Sequence, residues 1–195
     1  APNGIISTGQ GFGIRTNGTA GSTGTITFNN TIRLTSGNST LRGLGTVGED
    51  LAPEKLLLEI REKTHGYGAF TAITFLESAS DGLDENLDTN RLATIVSFYS
   101  HLDDGTGEFA IQTRGPFAKG KKIPLGFSSQ IDETLEYEIS LTKMEGLSLD
   151  NTTVYLYDHQ ENIITNLEIE SYSFKSGKGV FNNRFTLLFK TERVL

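Results

Sequence analysis

The densest run of groups able to do chemistry is Ser78-Ala79-Ser80-Asp81-Gly82-Leu83-Asp84-Glu85-Asn86-Leu87-Asp88-Thr89-Asn90. Hard oxygen donors clustered in one loop are what calcium requires, and Asp81, Asp84, Glu85 and Asp88 are the candidate ligands. Their spacing differs from the EF-hand loop, which needs acids or amides at alternate positions and a closing glutamate. The competing reading of the same residues is a turn and a short helix around Glu85 to Arg91. In that reading the aspartates cap backbone N–H groups, and Asp84, Glu85 and Asp88 pair with Arg91 at three- and four-residue spacing.

The second set is aromatic. The chain has 12 Phe, 6 Tyr and no Trp, and flat exposed rings are the usual means of gripping a sugar. Tyr67, Tyr155, Tyr157 and Tyr172 are the candidates for ligand binding. Tyr155 and Tyr157 alternate with Val154 and Leu156, so one pair faces the core and the other faces out or into a second layer.

Other chemistries find less support. His65, His101 and His159 stand far apart, without a partner at helical zinc-ligand spacing. No Gly-x-Ser-x-Gly elbow supplies a serine nucleophile. Gly9-Gln10-Gly11-Phe12-Gly13 is glycine-rich but does not lead into a helix that would cradle phosphate. A glycosidase needs two carboxylates facing across a cleft, and 24 acids leave that open. The run Lys119-Gly120-Lys121-Lys122 reads as a solvated turn.

The elements that must hold these residues are strands. Leu135, Tyr137, Ile139 and Leu141 alternate with Glu136, Glu138, Ser140 and Thr142, which puts one set on a buried face and the other on a wet one. The same period runs through Leu56, Leu58 and Ile60 against Lys55, Glu59 and Arg61, and through Phe185, Leu187 and Phe189 against Arg184, Thr186 and Lys190. Shorter runs lie near residues 69–76, 94–100, 108–114, 122–128, 153–158, 162–167 and 171–175. Asp81-Gly82, Asp104-Gly105, Gly115-Pro116, Glu145-Gly146, Asp150-Asn151 and Ser176-Gly177 punctuate them. Many short strands with frequent turns predict an all-β chain, an antiparallel β-sandwich of jelly-roll or immunoglobulin-like kind. The Gly-, Ser-, Thr- and Asn-rich first 48 residues also alternate, with a hairpin expected from Gly24-Thr25-Ile26-Thr27-Phe28 through Asn29-Asn30 to Thr31-Ile32-Arg33-Leu34-Thr35.

Composition bounds the partners. With 195 residues the chain makes one domain or two small ones. A net charge of -7 argues against nucleic acid, which calls for a Lys/Arg surplus. No cysteine is present, so disulfides and thiolate sites are excluded. No apolar run approaches the roughly 18 residues that span a bilayer. The sequence starts at Ala1 without a charged-then-apolar leader, as expected of a chain whose targeting segment was removed or of a piece of something longer.

The order Thr8-Gly9-Gln10-Gly11-Phe12, Gly24-Thr25-Ile26-Thr27-Phe28-Asn29-Asn30 and Ser80-Asp81-Gly82-Leu83-Asp84 with Asp88 resembles the large module placed before the C-terminal sorting domain in many type IX-secreted surface proteins of Bacteroidetes. It continues through Ser97-Phe98-Tyr99-Ser100, Phe109-Ala110-Ile111-Gln112, Ile123-Pro124-Leu125-Gly126-Phe127, Glu145-Gly146-Leu147, Val154-Tyr155-Leu156-Tyr157-Asp158 and Gly179-Val180-Phe181-Asn182-Asn183-Arg184-Phe185. The resemblance implies a secreted, extracellular or cell-surface β-sandwich module of a longer polypeptide, with no catalytic role to carry over. The upstream strands and the sorting domain usual in that family are missing from this sequence. The expectation is therefore a partial β unit over residues 1–45, the end of an upstream sandwich, followed by the main sandwich over residues 46–195. The expected function is non-catalytic, structural or adhesive. Its partners are other domains of a larger polypeptide or a cell-surface or polysaccharide ligand, with no nucleic acid and no membrane span. The alternative is a carbohydrate-binding module, calcium-assisted if the acidic loop holds an ion.

Overall fold

The computed structural model describes residues 23–25, 27–29 and 54–191, apart from 86, 147 and 151. By its contacts the chain divides into two compact units, Ala1–Leu51 and Ala52–Leu195. Most of the hairpin expected over Gly24 to Thr35 lies outside the described residues, and residues 23–25 and 27–29 belong to no strand. The candidate metal ligands and the four candidate tyrosines all lie in the second unit.

The described residues of that unit form eleven strands: β1 (Glu54–Glu62), β2 (Gly68–Phe75), β3 (Thr89–Asn90), β4 (Val96–Ser100), β5 (Phe109–Arg114), β6 (Lys122–Ser129), β7 (Leu135–Glu145), β8 (Thr152–Asp158), β9 (Ile163–Asn166), β10 (Tyr172–Ser176) and β11 (Gly179–Thr191). Among the described residues there is no helix. The strands join one sheet in the order β10-β7-β1-β2-β5-β4-β6-β11-β8-β9, with β3 attached to β5. The sheet is mixed rather than wholly antiparallel as the sequence suggests, because β2 and β5 run parallel, Ala72 opposite Ile111 and Phe75 opposite Arg114. Parallel pairing needs a long crossover, and residues 76–108 supply it.

Period-two alternation decides which side chains enter the core. Leu56, Leu58 and Ile60 of β1, Tyr137 and Ile139 of β7, Val154 and Leu156 of β8, and Leu187 of β11 are all buried. Rings carried by distant strands meet across this interior. Phe127 of β6 lies 5.5 Å from Tyr137 of β7 and 5.3 Å from Phe174 of β10, and Phe174 packs edge-on against Phe185 of β11 at 5.0 Å. Phe75 of β2 meets Phe189 of β11 at 6.2 Å. The sheet thus curls nearly into a barrel, and its two ends share one core.

Two local expectations are corrected. Instead of a helix around Glu85 to Arg91, there is one turn, closed by the N–H groups of Leu87 and Asp88 on the carbonyl of Asp84. Thr89 and Asn90 then pair with Ile111 and Phe109, so the chain is drawn into the sheet before a second turn forms. Arg91 points away from the preceding acids, donating to Glu108 at 2.9 Å and stacking over the Tyr99 ring at 4.4 Å. Alternation also places Arg184 on the wet face, whereas its side chain is buried. The pairing register of β11 with β6 shifts between Phe181 and Phe185, and this irregularity turns Arg184 inward beside Phe185.

Candidate functional site

The acidic loop is built as a turn. The carboxylate of Asp84 accepts the N–H of Ser80 at 2.7 Å and its hydroxyl at 3.1 Å. Asp88 accepts the N–H of Asp84 at 2.9 Å on one oxygen and the N–H of Thr113 at 2.7 Å on the other. Asp81 takes an ion pair from Lys121 at 2.6 Å, and Glu85 is exposed. Asp81, Asp84 and Asp88 are thus directed at different partners rather than at one point, and Glu85 faces solvent. Among the described residues no group of three or more His, Asp or Glu is placed to hold a metal ion. Asp88 in effect clips the loop to β5, which explains why acids cluster here.

The four tyrosines separate into three environments. Tyr172 lies in the core, and its hydroxyl donates to Asp158 at 2.9 Å, so it offers no surface to a ligand. Burial and the neighbouring Asp158 carboxylate push its phenol well above the ordinary tyrosine range. Tyr67 is 42% exposed and lines a shallow open cleft of about 440 Å³ with Thr94, Ile95 and Gln130 among its walls. Its ring centroid is 5.9 Å from that of His65, whose ring and N–H groups engage the buried carboxylate of Glu62. Burial works against charge on Glu62, but the N–H groups of His65 and Thr64 outweigh it and hold this carboxyl below its usual value.

Tyr155 and Tyr157 share the outer face of β8, half-buried, while Val154 and Leu156 face the core. His159 continues the row. Its ring centroid is 4.4 Å from Tyr157, and its Nε2 shares a hydrogen bond of 2.8 Å with the hydroxyl of Thr186. Tyr157 donates its hydroxyl to Asn162 at 2.7 Å, and the ammonium of Lys190 rests 4.8 Å from the Tyr155 ring centre. The pairing registers extend this row into a surface. Lys122, Leu188, Tyr155 and Asn166 stand side by side across β6, β11, β8 and β9, and Pro124, Thr186, Tyr157 and Ile164 form the adjacent line.

Beneath this surface sits a buried ion pair. Asp158 Oδ2 accepts from Nε and Nη2 of Arg184 at 3.0 and 2.9 Å and from the Tyr172 hydroxyl, and Asp158 Oδ1 accepts the N–H of Gln160 at 2.8 Å. The Arg184 guanidinium also stacks over Phe174 at 4.3 Å. Both carboxylate oxygens of Asp158 and the Nε and Nη2 of Arg184 are therefore spent on the fold, joining β8, β10 and β11. A similar role falls to Arg114, whose guanidinium bonds Asp103 at 2.6 Å and the carbonyl of His101 at 2.8 Å at the β4–β5 corner. His101 itself is buried and donates through Nδ1 to the carbonyl of Gly107.

The sequence singles out Tyr155 and Tyr157 and leaves their direction open, and it does not mark Lys122, Lys190 and His159 as their neighbours. The available signal for Lys190 is its place two residues beyond Leu188 on the polar side of β11. No local pattern reveals Asp158 with Arg184, since 26 residues separate them.

Over residues 1–189 the chain matches the family model described as Domain of unknown function (DUF8693), and it belongs to that family. No curated protein and no solved structure matches it. Among the described residues no helix is long and apolar enough to cross a membrane.

Proposed function

We propose that this member of the DUF8693 family is a non-catalytic module of a larger secreted or cell-surface protein, structural or adhesive, working through surface contact. In this reading the curled sheet is a β-sandwich of jelly-roll or immunoglobulin-like kind. Its ordered motifs are those of the module that precedes the sorting domain in type IX-secreted proteins. The observation that carries the proposal is the division of labour among its reactive groups. Asp158 and Arg184 are tied to one another in the interior and Arg114 is tied to Asp103 and the His101 carbonyl, so these charges hold strands together, whereas Tyr155, Tyr157, His159 and Lys190 stand together on one outer face. Such a distribution serves contact better than bond-making.

A second reading, carbohydrate binding, is favoured by the row of Tyr155, Tyr157 and His159 on that face. A glycan array probed with the whole chain, once with calcium and once with chelator, tests both. Saturable retention of intact glycan, weakened by Tyr157→Ala and indifferent to chelator, is the expected result for the sugar-binding reading. Cleavage of the glycan contradicts a non-catalytic module. Loss of retention with chelator moves the site to the Asp81 to Asp88 loop. No retention in either condition removes the sugar and leaves contact with other domains as the function.

A further inference from the structure

We infer that the outer face of β6, β11, β8 and β9 is a binding site for an anionic polysaccharide, an inference that rests on the carbohydrate reading and narrows it. The first argument is charge. In a chain of net charge -7, the four strands carry a single carboxylate, Asp158, and that one is buried against Arg184. Their outward positions instead hold Lys122 and Lys190, with His159 at the end of β8. Among the described residues neither of these lysines is in an ion pair, a state they share with Lys119 and Lys175, whereas Lys55, Lys63, Lys121, Lys143 and Lys178 are paired. The strands of this face thus carry no accessible acid, exposed Glu161 and Glu168 lying in the flanking loops, and a face with cations but no carboxylate of its own favours an anion over a neutral ligand.

The second argument is shape and chemistry. Positions two apart on a strand are spaced about 7 Å along it, and the Tyr157 ring leans on His159 with centroids 4.4 Å apart, so Tyr155 and the Tyr157–His159 pair make a row of rings rather than a single platform. A line suits an extended chain of sugars, whose C–H faces pack on rings while carboxylate or sulfate groups reach the flanking ammonium ions. Lys190 rests on the Tyr155 ring at 4.8 Å, a weak hold at an exposed position. A ligand anion draws that ammonium aside, and the same movement opens the face of the ring for stacking. One residue thus supplies both the charge and the gate. Nucleic acid shares the two chemistries, and the oligonucleotide arm of the test separates it.

The test is affinity electrophoresis of the whole chain through gels containing polygalacturonate, dextran sulfate, neutral dextran or a single-stranded oligonucleotide, run at low and high salt. Expected is retardation by polygalacturonate or dextran sulfate and not by dextran, falling several-fold as salt rises from roughly 20 to roughly 300 mM. The preferred polyanion identifies the charged group as carboxylate or sulfate. Tyr157→Ala and Lys190→Glu, each checked for an unchanged thermal midpoint, are expected to weaken it about tenfold, and Lys143→Ala on β7 to leave it unchanged. Equal retardation by dextran without salt dependence overturns the anionic inference and keeps the sugar reading. Retardation by no polysaccharide overturns both. Preference for the oligonucleotide, or polyanion retention indifferent to both variants, overturns the proposed ligand or its place.

Discussion

The outer face of β1, β7 and β10 and the outer face of β6, β11, β8 and β9 belong to one sheet and solve the same problem differently. On the first, opposite charges cancel in place. Lys55 pairs with Glu145 at 2.7 Å, Lys143 with Glu145 at 2.6 Å, and Arg61 with Glu59, while the register sets Lys175 opposite Glu136. On the second, the strands carry rings and cations and no accessible acid of their own. A face whose charges are mutually satisfied has little left for a partner. The contrast assigns the first to solvation and the second to contact.

The largest expected effect lies beneath the ring-bearing face. Arg184→Met leaves Asp158 buried without its cation, and loss of about 3–5 kcal/mol is expected in chemical denaturation. If the loss stays below about 1 kcal/mol, the pair does not join the two ends of the sheet. Next is Gly126→Ala. A Cβ there would stand 2.5 Å from the Tyr99 ring and 2.6 Å from His101 Nε2, so a cost of about 1–3 kcal/mol is expected from the same unfolding curves.

Two buried groups also part in their response to pH. Tyr172, on β10 and bonded to Asp158, has a raised value, so the folded state keeps a proton that the unfolded chain gives up near pH 10. Stability is therefore full below that pH and falls as pH rises beyond it, and Tyr172→Phe is expected to lessen this alkaline fall, to which the raised Tyr99 and Tyr137 also contribute, at a cost of about 1 kcal/mol at neutral pH. Glu62, on β1, shows the reverse. Its lowered value means that stability present above the ordinary carboxylate range is lost as pH falls through the folded-state value. Glu62→Gln is expected to flatten that acid limb, measured as the thermal midpoint against pH. Smallest is Lys55→Ala on the charge-cancelled face, expected to change stability by less than about 1 kcal/mol because exposed pairs are weak.

How much of this is legible in the sequence depends on whether the signal is local. Leu56, Leu58 and Ile60, and Phe185, Leu187 and Phe189, announce their strands because side-chain period is a property of neighbouring residues. The parallel pairing of β2 with β5 leaves no such mark, since either direction satisfies the same alternation. β3 is two residues long and exists only because β5 accepts it. The acids of the loop are visible, but their use is not: Asp88 reaches Thr113, 25 residues away. Tyr155 and Tyr157 are legible as a pair on one face, and only the burial of Val154 and Leu156 decides that the face is outward. Arg184 is misplaced by alternation because a register shift is a consequence of pairing and cannot be read from alternation alone.

The most direct measurement is a heteronuclear NMR titration of the whole chain with a short polygalacturonate oligomer, following backbone amides on both outer faces. Shifts concentrated at residues 155, 157, 159, 186, 188 and 190, with β1 and β7 silent, are the result expected of a contact face on β8 and β11. Shifts centred on the Lys55, Lys143 and Glu145 cluster, or spread evenly over both faces, contradict it.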